Sequence, residues 1–171
     1  MAQTLVFSYK RFSSKSQGRG TSIARQTKMA RDWVAAQKGM VLSDLTFTDS
    51  GISGFDGSNI RKGALGQFLE LIRTGEIARG SILVIEQWDR LTRQNPLDAI
   101  PLVGDILKAG VEIQTLYPEQ RYTEKATRDA SGMQLMQMVF ILLGSYCKRR
   151  SNSAAQGGRK VRQLVDLRIH Q

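Results

Sequence analysis

A chain of 171 residues, 41 % hydrophobic and 23 % charged, has the length and composition of one globular domain with a sizeable core, and not of a disordered polypeptide. Lysine and arginine number 25 against 15 for aspartate and glutamate, a formal charge of +10 with a pI near 10.2, which favours a polyanionic partner, nucleic acid being the commonest. A single cysteine, Cys147, excludes an internal disulfide and a cysteine zinc site within one chain, and a single histidine, His170 near the C-terminal end, leaves no Ser-His-Asp triad.

The first predicted element is a strand, Leu5 to Phe12. It runs into "YKRFSSKSQ", Tyr9 to Gln17, with three serines, three cations and no acid. A serine where a strand ends is ordinarily a turn residue. Surrounded by cations, Ser13 also reads as a nucleophile towards an anionic substrate. Thr21 to Lys38 is expected to be a helix, with Gly39 as its stop. Val41 to Thr48 is a second strand, followed by the loop "DSGISGFDGSN" from Asp49 to Asn59. Arg61 to Thr74 reads as a helix, with Leu65, Phe68, Leu69 and Ile72 on one face and Gly75 after it. "SILVIE", Ser81 to Glu86, is a continuous apolar run of the kind buried in a parallel sheet. A helix from Pro96 to Ala109 and a strand from Val111 to Tyr117 complete the alternation. The fold class is therefore α/β, a mainly parallel central sheet flanked by helices, occupying residues 1–130.

Residues 131–171 differ in character. Met133, Met136, Phe140, Leu143 and Cys147 recur at helical spacing, and Leu135, Met138, Val139, Leu142 and Tyr146 fill the flanks. A helix apolar nearly all round needs burial on more than one side. Either one domain encloses it, or an identical helix from a second subunit covers it. After Cys147 come Lys148, Arg149, Arg150, Arg159, Lys160 and Arg162, read as a basic arm along phosphates in place of an ordinary solvated face.

The chemistry-bearing residues lie at the ends of predicted elements. Arg11 and Ser13 follow the first strand, Arg61 opens a helix, and "WDRLTR" supplies Asp89, Arg90 and Arg93 after "SILVIE". In open α/β sheets ligands bind beyond the carboxyl ends of the strands. Guanidinium groups grip phosphate with two donors and stay charged, so a serine among arginines suits phosphoryl transfer. A buried Asp-Arg pair and a helix-capping serine are the purely structural alternatives.

Together, Tyr9-x-Arg11-x-Ser13-x-x-x-Gln17, Asp49 with Ser53-Gly54, Arg61-x-Gly63 and Asp89-Arg90-Leu91-x-Arg93 resemble the catalytic domain of the serine site-specific recombinases, the resolvase/invertase family. The long glycine-rich loop is more similar to the large phage and mobile-element members. The resemblance implies a metal-free, cofactor-free DNA recombinase. Ser13 would attack a phosphodiester and become joined to the 5′ phosphate, with Arg11, Arg61, Arg90 and Arg93 holding the phosphate and leaving group. Asp89 would assist, and Tyr9 and Gln17 would support the pocket. It also implies homodimers on double-stranded recombination sites, a tetramer in the synaptic complex, and dimerisation through the long C-terminal helix.

Departures from the family pattern are visible. Phe12 stands where a valine is common. No glutamate accompanies "GSYCKRR". The spacing after Arg61 makes Lys62 its rival. A catalytically inactive DNA-binding or dimerisation module of the same fold is the alternative function. A nucleotide-binding enzyme is disfavoured because no glycine-rich phosphate loop follows the first strand. Neither a signal-peptide pattern nor a membrane-length apolar stretch is present, so the expected location is the cytoplasm. No pattern of the family's further DNA-binding domains is expected within these 171 residues.

Overall fold

The computed structural model describes residues 3–12, 19–50, 63–91 and 96–129, together with Gln137, Val139, Ile141 and Gly144. Strand β1 spans Thr4–Phe12, helix α1 Arg19–Ala35, strand β2 Met40–Ser50 and helix α2 Ala64–Arg73. Strand β3 is Ile82–Ile85, and two helices follow, a short α3 at Trp88–Leu91 and α4 at Pro96–Lys108. Strands β4, Glu112–Leu116, and β5, Glu119–Tyr122, precede a last short helix, α5, at Glu124–Thr127.

The strands form one five-stranded sheet in the order β2-β1-β3-β4-β5. Strand β1 pairs in parallel with β2 and β3, and β3 with β4. Only β5 is antiparallel, folded back on β4. Strand alternation gives β1 two different faces. Phe7 and Tyr9 join Phe47, Leu65, Phe68 and Trp88 in the larger core, beside α2 and α4. Val6 meets Ala30, Val34, Ile82 and Val84 beneath α1. Phe7, Phe47 and Phe68 meet at tilted and edge-on angles, with centroids 5.0 Å apart for the last pair, a favourable geometry for rings whose edges and faces carry opposite partial charge. Because β3 is buried on both faces, its four residues read as an unbroken apolar run instead of an alternation.

The two helix stops expected at glycine are present. Gly39, φ +75°, turns the chain from α1 towards β2, and Gly75, φ +81°, donates to the Ile72 carbonyl as α2 closes. Both sit in the left-handed region that a side chain disfavours. Helix α1 starts at Arg19 and ends at Ala35, so it is shifted N-terminally from the expected 21–38. Helix α2 is described from Ala64, and β5, α3 and α5 are additions to the expected elements.

Of the long C-terminal helix expected from residue 131, the described positions 137, 139, 141 and 144 are helical. Ile141 packs, partly buried, against the larger core, whereas Gln137 and Gly144 are exposed. The interface residues expected at 136, 140, 143 and 147, and the basic arm from Lys148 through Arg149, Arg150, Arg159, Lys160 and Arg162, lie outside the described residues. No helix among the described residues is long and apolar enough to cross a membrane.

Candidate active site

The order of the strands creates the site. From β1 the chain passes through α1 to β2 on one side, then through α2 to β3 on the other, so the connections diverge between β1 and β3. A crevice at the carboxyl ends of two such strands is the usual ligand position in an open α/β sheet. Arg11 leaves the end of β1 there, and α3, carrying Asp89 and Arg90, follows β3.

Arg11 is 1 % exposed. Its Nε donates to the Arg90 carbonyl at 2.8 Å, and its Nη2 donates to the Asp89 carbonyl. A buried guanidinium needs acceptors to offset its lost hydration, and these two carbonyls provide them. The contact fastens β1 to α3 across the crevice. The pairing of β1 with β3 extends to Ser8 opposite Val84, short of Arg11. Gln26 of α1 takes over there: its Oε1 accepts from the Arg11 amide and its Nε2 donates to the Arg11 carbonyl, both at 3.4 Å. Backbone groups at a strand end that would otherwise lack partners are satisfied in this way.

Tyr9 is also fully buried, and its hydroxyl donates to Asp49 Oδ2 at 2.8 Å. The other oxygen of Asp49 accepts from the Ala64 amide at 2.7 Å, the first residue of α2. One carboxylate thereby ties β1 to the start of the helix that follows Arg61, at an N-terminus where orphan amides and the helix dipole favour negative charge.

Glu86, at the end of β3, carries the electrostatics. Its Oε2 accepts from Arg90 Nε at 2.9 Å, and its Oε1 accepts from Arg25 of α1. Burial alone would raise the Glu86 pKa, but the hydrogen bonds from Arg25 and Arg90 outweigh it and hold the carboxyl below its ordinary value. The same bond raises the pKa of Arg25. Arg90 also lies 3.5 Å from Asp89 Oδ2. Asp89 Oδ1 is buried without a hydrogen-bond partner among the described residues.

Of the residues singled out from sequence, the structure brings together Arg11, Asp89 and Arg90, and it holds Tyr9 against Asp49. Ser13, Gln17, Arg61 and Arg93 lie outside the described residues. Arg11, expected to touch phosphate, directs two of its nitrogens at backbone carbonyls. Sequence reasoning missed Glu86, Arg25 and Gln26, and gave Asp49 no role beyond membership of the motif. The available signal was Glu86 four residues before Arg90, a spacing at which an ion pair can form.

The family model "Resolvase, N terminal domain" matches residues 6–162. The chain belongs to the resolvase N-terminal domain family. It is 36 % identical over 111 residues to the uncharacterized protein YbcK of Escherichia coli K12; the match covers 65 % of this chain and 22 % of YbcK. The chain thus spans about a fifth of that relative's length. Among solved structures it is similar to the N-terminal catalytic domain of TP901-1 integrase, with a TM-score of 0.54 and 25 % identity, covering 86 % of this chain and 98 % of that one. A resolvase family site-specific recombinase from Streptococcus pneumoniae shares the fold at a TM-score of 0.58 and 18 % identity, covering 95 % and 99 % of the two chains. The five-stranded, mostly parallel sheet is the resolvase catalytic-domain fold.

Proposed function

We propose that this domain cleaves and rejoins DNA through a covalent serine ester at Ser13. The observation that supports this reading best is the convergence of Arg11, Asp89 and Arg90 at the divergence point between β1 and β3, one residue beyond which the strand ends and Ser13 follows. Family membership supports the same chemistry. Ser13 Oγ attacks a backbone phosphorus; the new Ser–O–P bond forms as the bond to the 3′ oxygen breaks, and that oxygen leaves as a 3′ hydroxyl after taking up a proton. Attack of a 3′ hydroxyl on the phosphoserine reverses the step. The diester bond energy is retained in the intermediate, so no cofactor is required.

Within this reading Arg90, oriented by Glu86, donates to the phosphate oxygens as charge develops in the transition state. Arg61 and Arg93 complete the clamp. The buried Oδ1 of Asp89 faces a hydrogen-bond deficit that a proton-bearing group entering the crevice would relieve. Arg11 acts mainly as a positioning residue that fixes α3 against β1, and Tyr9 fixes Asp49 and the start of α2. Gln17 supports the pocket beside Ser13. The proposed partner is a double-stranded recombination site bound by a homodimer, two dimers forming a tetramer. The helix from residue 131 would supply the subunit contact, and Lys148, Arg149, Arg150, Arg159, Lys160 and Arg162 would supply the backbone contact.

The test is incubation with supercoiled plasmid carrying a candidate recombination site, followed by a denaturing gel. Protein-linked strand ends are expected. Binding with no strand breakage, under conditions where the protein is dimeric, would favour the inactive DNA-binding module instead.

A further inference from the structure

Lys10 points away from the candidate active site. Its neighbours Tyr9 and Arg11 occupy the α2 and α3 side of β1, and strand alternation turns Lys10 to the α1 side. There it lines a cavity of about 440 Å³ between α1 and β2. This volume lies within the range of small-molecule sites. The cavity has a structural origin. Between Val6 and Ser8 of β1 the partner strand advances from Leu42 to Thr46, so β2 carries two extra residues there. Bulges of this kind recur beside binding sites, where they re-aim side chains.

The lining is chemically biased. Lys10 is 6 % exposed, and its ammonium donates to Thr27 Oγ1 at 3.2 Å. Arg31 stands close enough to repel it: burial first, and Arg31 second, depress the Lys10 pKa. Neither Lys10 nor Arg31 forms an ion pair with an acid among the described residues. Asp44 lies on the wall, exposed and not within ion-pair distance of either cation. Hydroxyls of Ser8, Thr27, Ser43 and Thr46 complete the polar surface. Two mutually repelling cations, one of them buried, are costly without a counter-ion. An ammonium with remaining donors, a guanidinium fork and several hydroxyls match the many acceptor oxygens of a phosphate better than the two of a carboxylate.

We infer that the cavity between α1 and the bulged β2 is a phosphate-binding site, with Lys10 and Arg31 as its cationic ligands and the hydroxyls of Ser8 and Thr27 as further contacts. It lies on the opposite face of β1 from the proposed catalytic cluster, and it stands independently of the serine chemistry. The phosphate has two possible sources, a small phosphorylated molecule or the backbone of bound DNA.

The test is calorimetric titration of the full chain with inorganic phosphate at constant ionic strength set with chloride, with and without a DNA duplex present. Saturable binding that depends on Lys10 and Arg31 is expected. Lys10→Met, which keeps the apolar stem, and Arg31→Gln, at an exposed position that folding tolerates, should each weaken it roughly tenfold or more. Phosphate binding that persists on the DNA-bound protein identifies a small-molecule site. Phosphate displaced by the duplex, with duplex affinity reduced in Lys10→Met, identifies a backbone contact. Absence of saturable binding to the unaltered chain, or an affinity in both variants unchanged from that of the unaltered chain, overturns the proposal.

Discussion

Replacement of Glu86 by glutamine probes the node that joins α1, β3 and α3. The side chain of Glu86 is 9 % exposed, and its two oxygens serve two arginines of different exposure, Arg90 at 18 % and Arg25 at 51 %. A hydrogen bond between charged groups in a partly buried setting is worth about 1.5–3 kcal/mol, and the Arg90 contact at 2.9 Å belongs in that class. The Arg25 contact is half in water and is discounted to at most ~1 kcal/mol. Glu86→Gln is therefore expected to lower the unfolding free energy at pH 7 by about 2–3 kcal/mol, read as a shifted urea midpoint with an unchanged slope. The pH profile gives the stricter measurement. The folded pKa of Glu86 lies below its ordinary 4.5, so near that pH Glu86 binds fewer protons in the folded than in the unfolded chain. Its contribution is fully present above about 4.5 and is lost as pH falls through the folded value. The stability difference between the unaltered chain and Glu86→Gln should accordingly shrink as pH drops below about 4.5. A difference that stays constant from pH 7 to pH 3, or no difference at pH 7, would refute the electrostatic account of this node.

Tyr9→Phe removes the 2.8 Å bond to Asp49 and leaves a buried carboxylate oxygen short of a donor, so chemical denaturation should show a loss of about 1–3 kcal/mol; unchanged stability would remove the clamp. Arg90→Lys keeps the charge but loses the planar fork, and strand cleavage should slow by ~10²–10³ with the circular dichroism spectrum preserved; cleavage at normal speed would end its role on the phosphate. Phe140→Glu places an unpaired charge on the proposed subunit face and should sediment as a monomer; a variant that remained dimeric would put the contact elsewhere.

Much of the sheet was legible because its signals are local. "SILVIE" is apolar without interruption since β3 is covered on both faces, and Gly39 and Gly75 mark the ends of α1 and α2 through their positive φ. Strand β5 was not legible. "EQRY" carries one buried residue, Tyr122, and pairs antiparallel with β4 across a short turn, so neither length nor alternation announces it. Helix α3 is a single turn, below the length at which periodicity has meaning. At the site, arginines and an aspartate at strand ends pointed to the crevice between β1 and β3, where the structure places Arg11, Asp89 and Arg90. Their individual duties were not legible. Whether Arg11 meets a phosphate or two carbonyls depends on how α3 turns after β3, and that is decided by contacts 78 and 79 residues apart in sequence. Asp49 had a similar fate, since its partners Tyr9 and Ala64 lie 40 and 15 residues away.

Identification of the residue bonded to DNA tests the central claim most directly. The protein is incubated with a supercoiled plasmid carrying its site, denatured, and digested with protease and nuclease, and the nucleotide-bearing peptide is sequenced by mass spectrometry. The expected result is a nucleotide attached through its 5′ phosphate to Ser13 in the peptide from "FSSK", with no adduct from Ser13→Ala. Strand cleavage that persists in Ser13→Ala, or an adduct on another residue, would contradict the assignment of Ser13 as nucleophile.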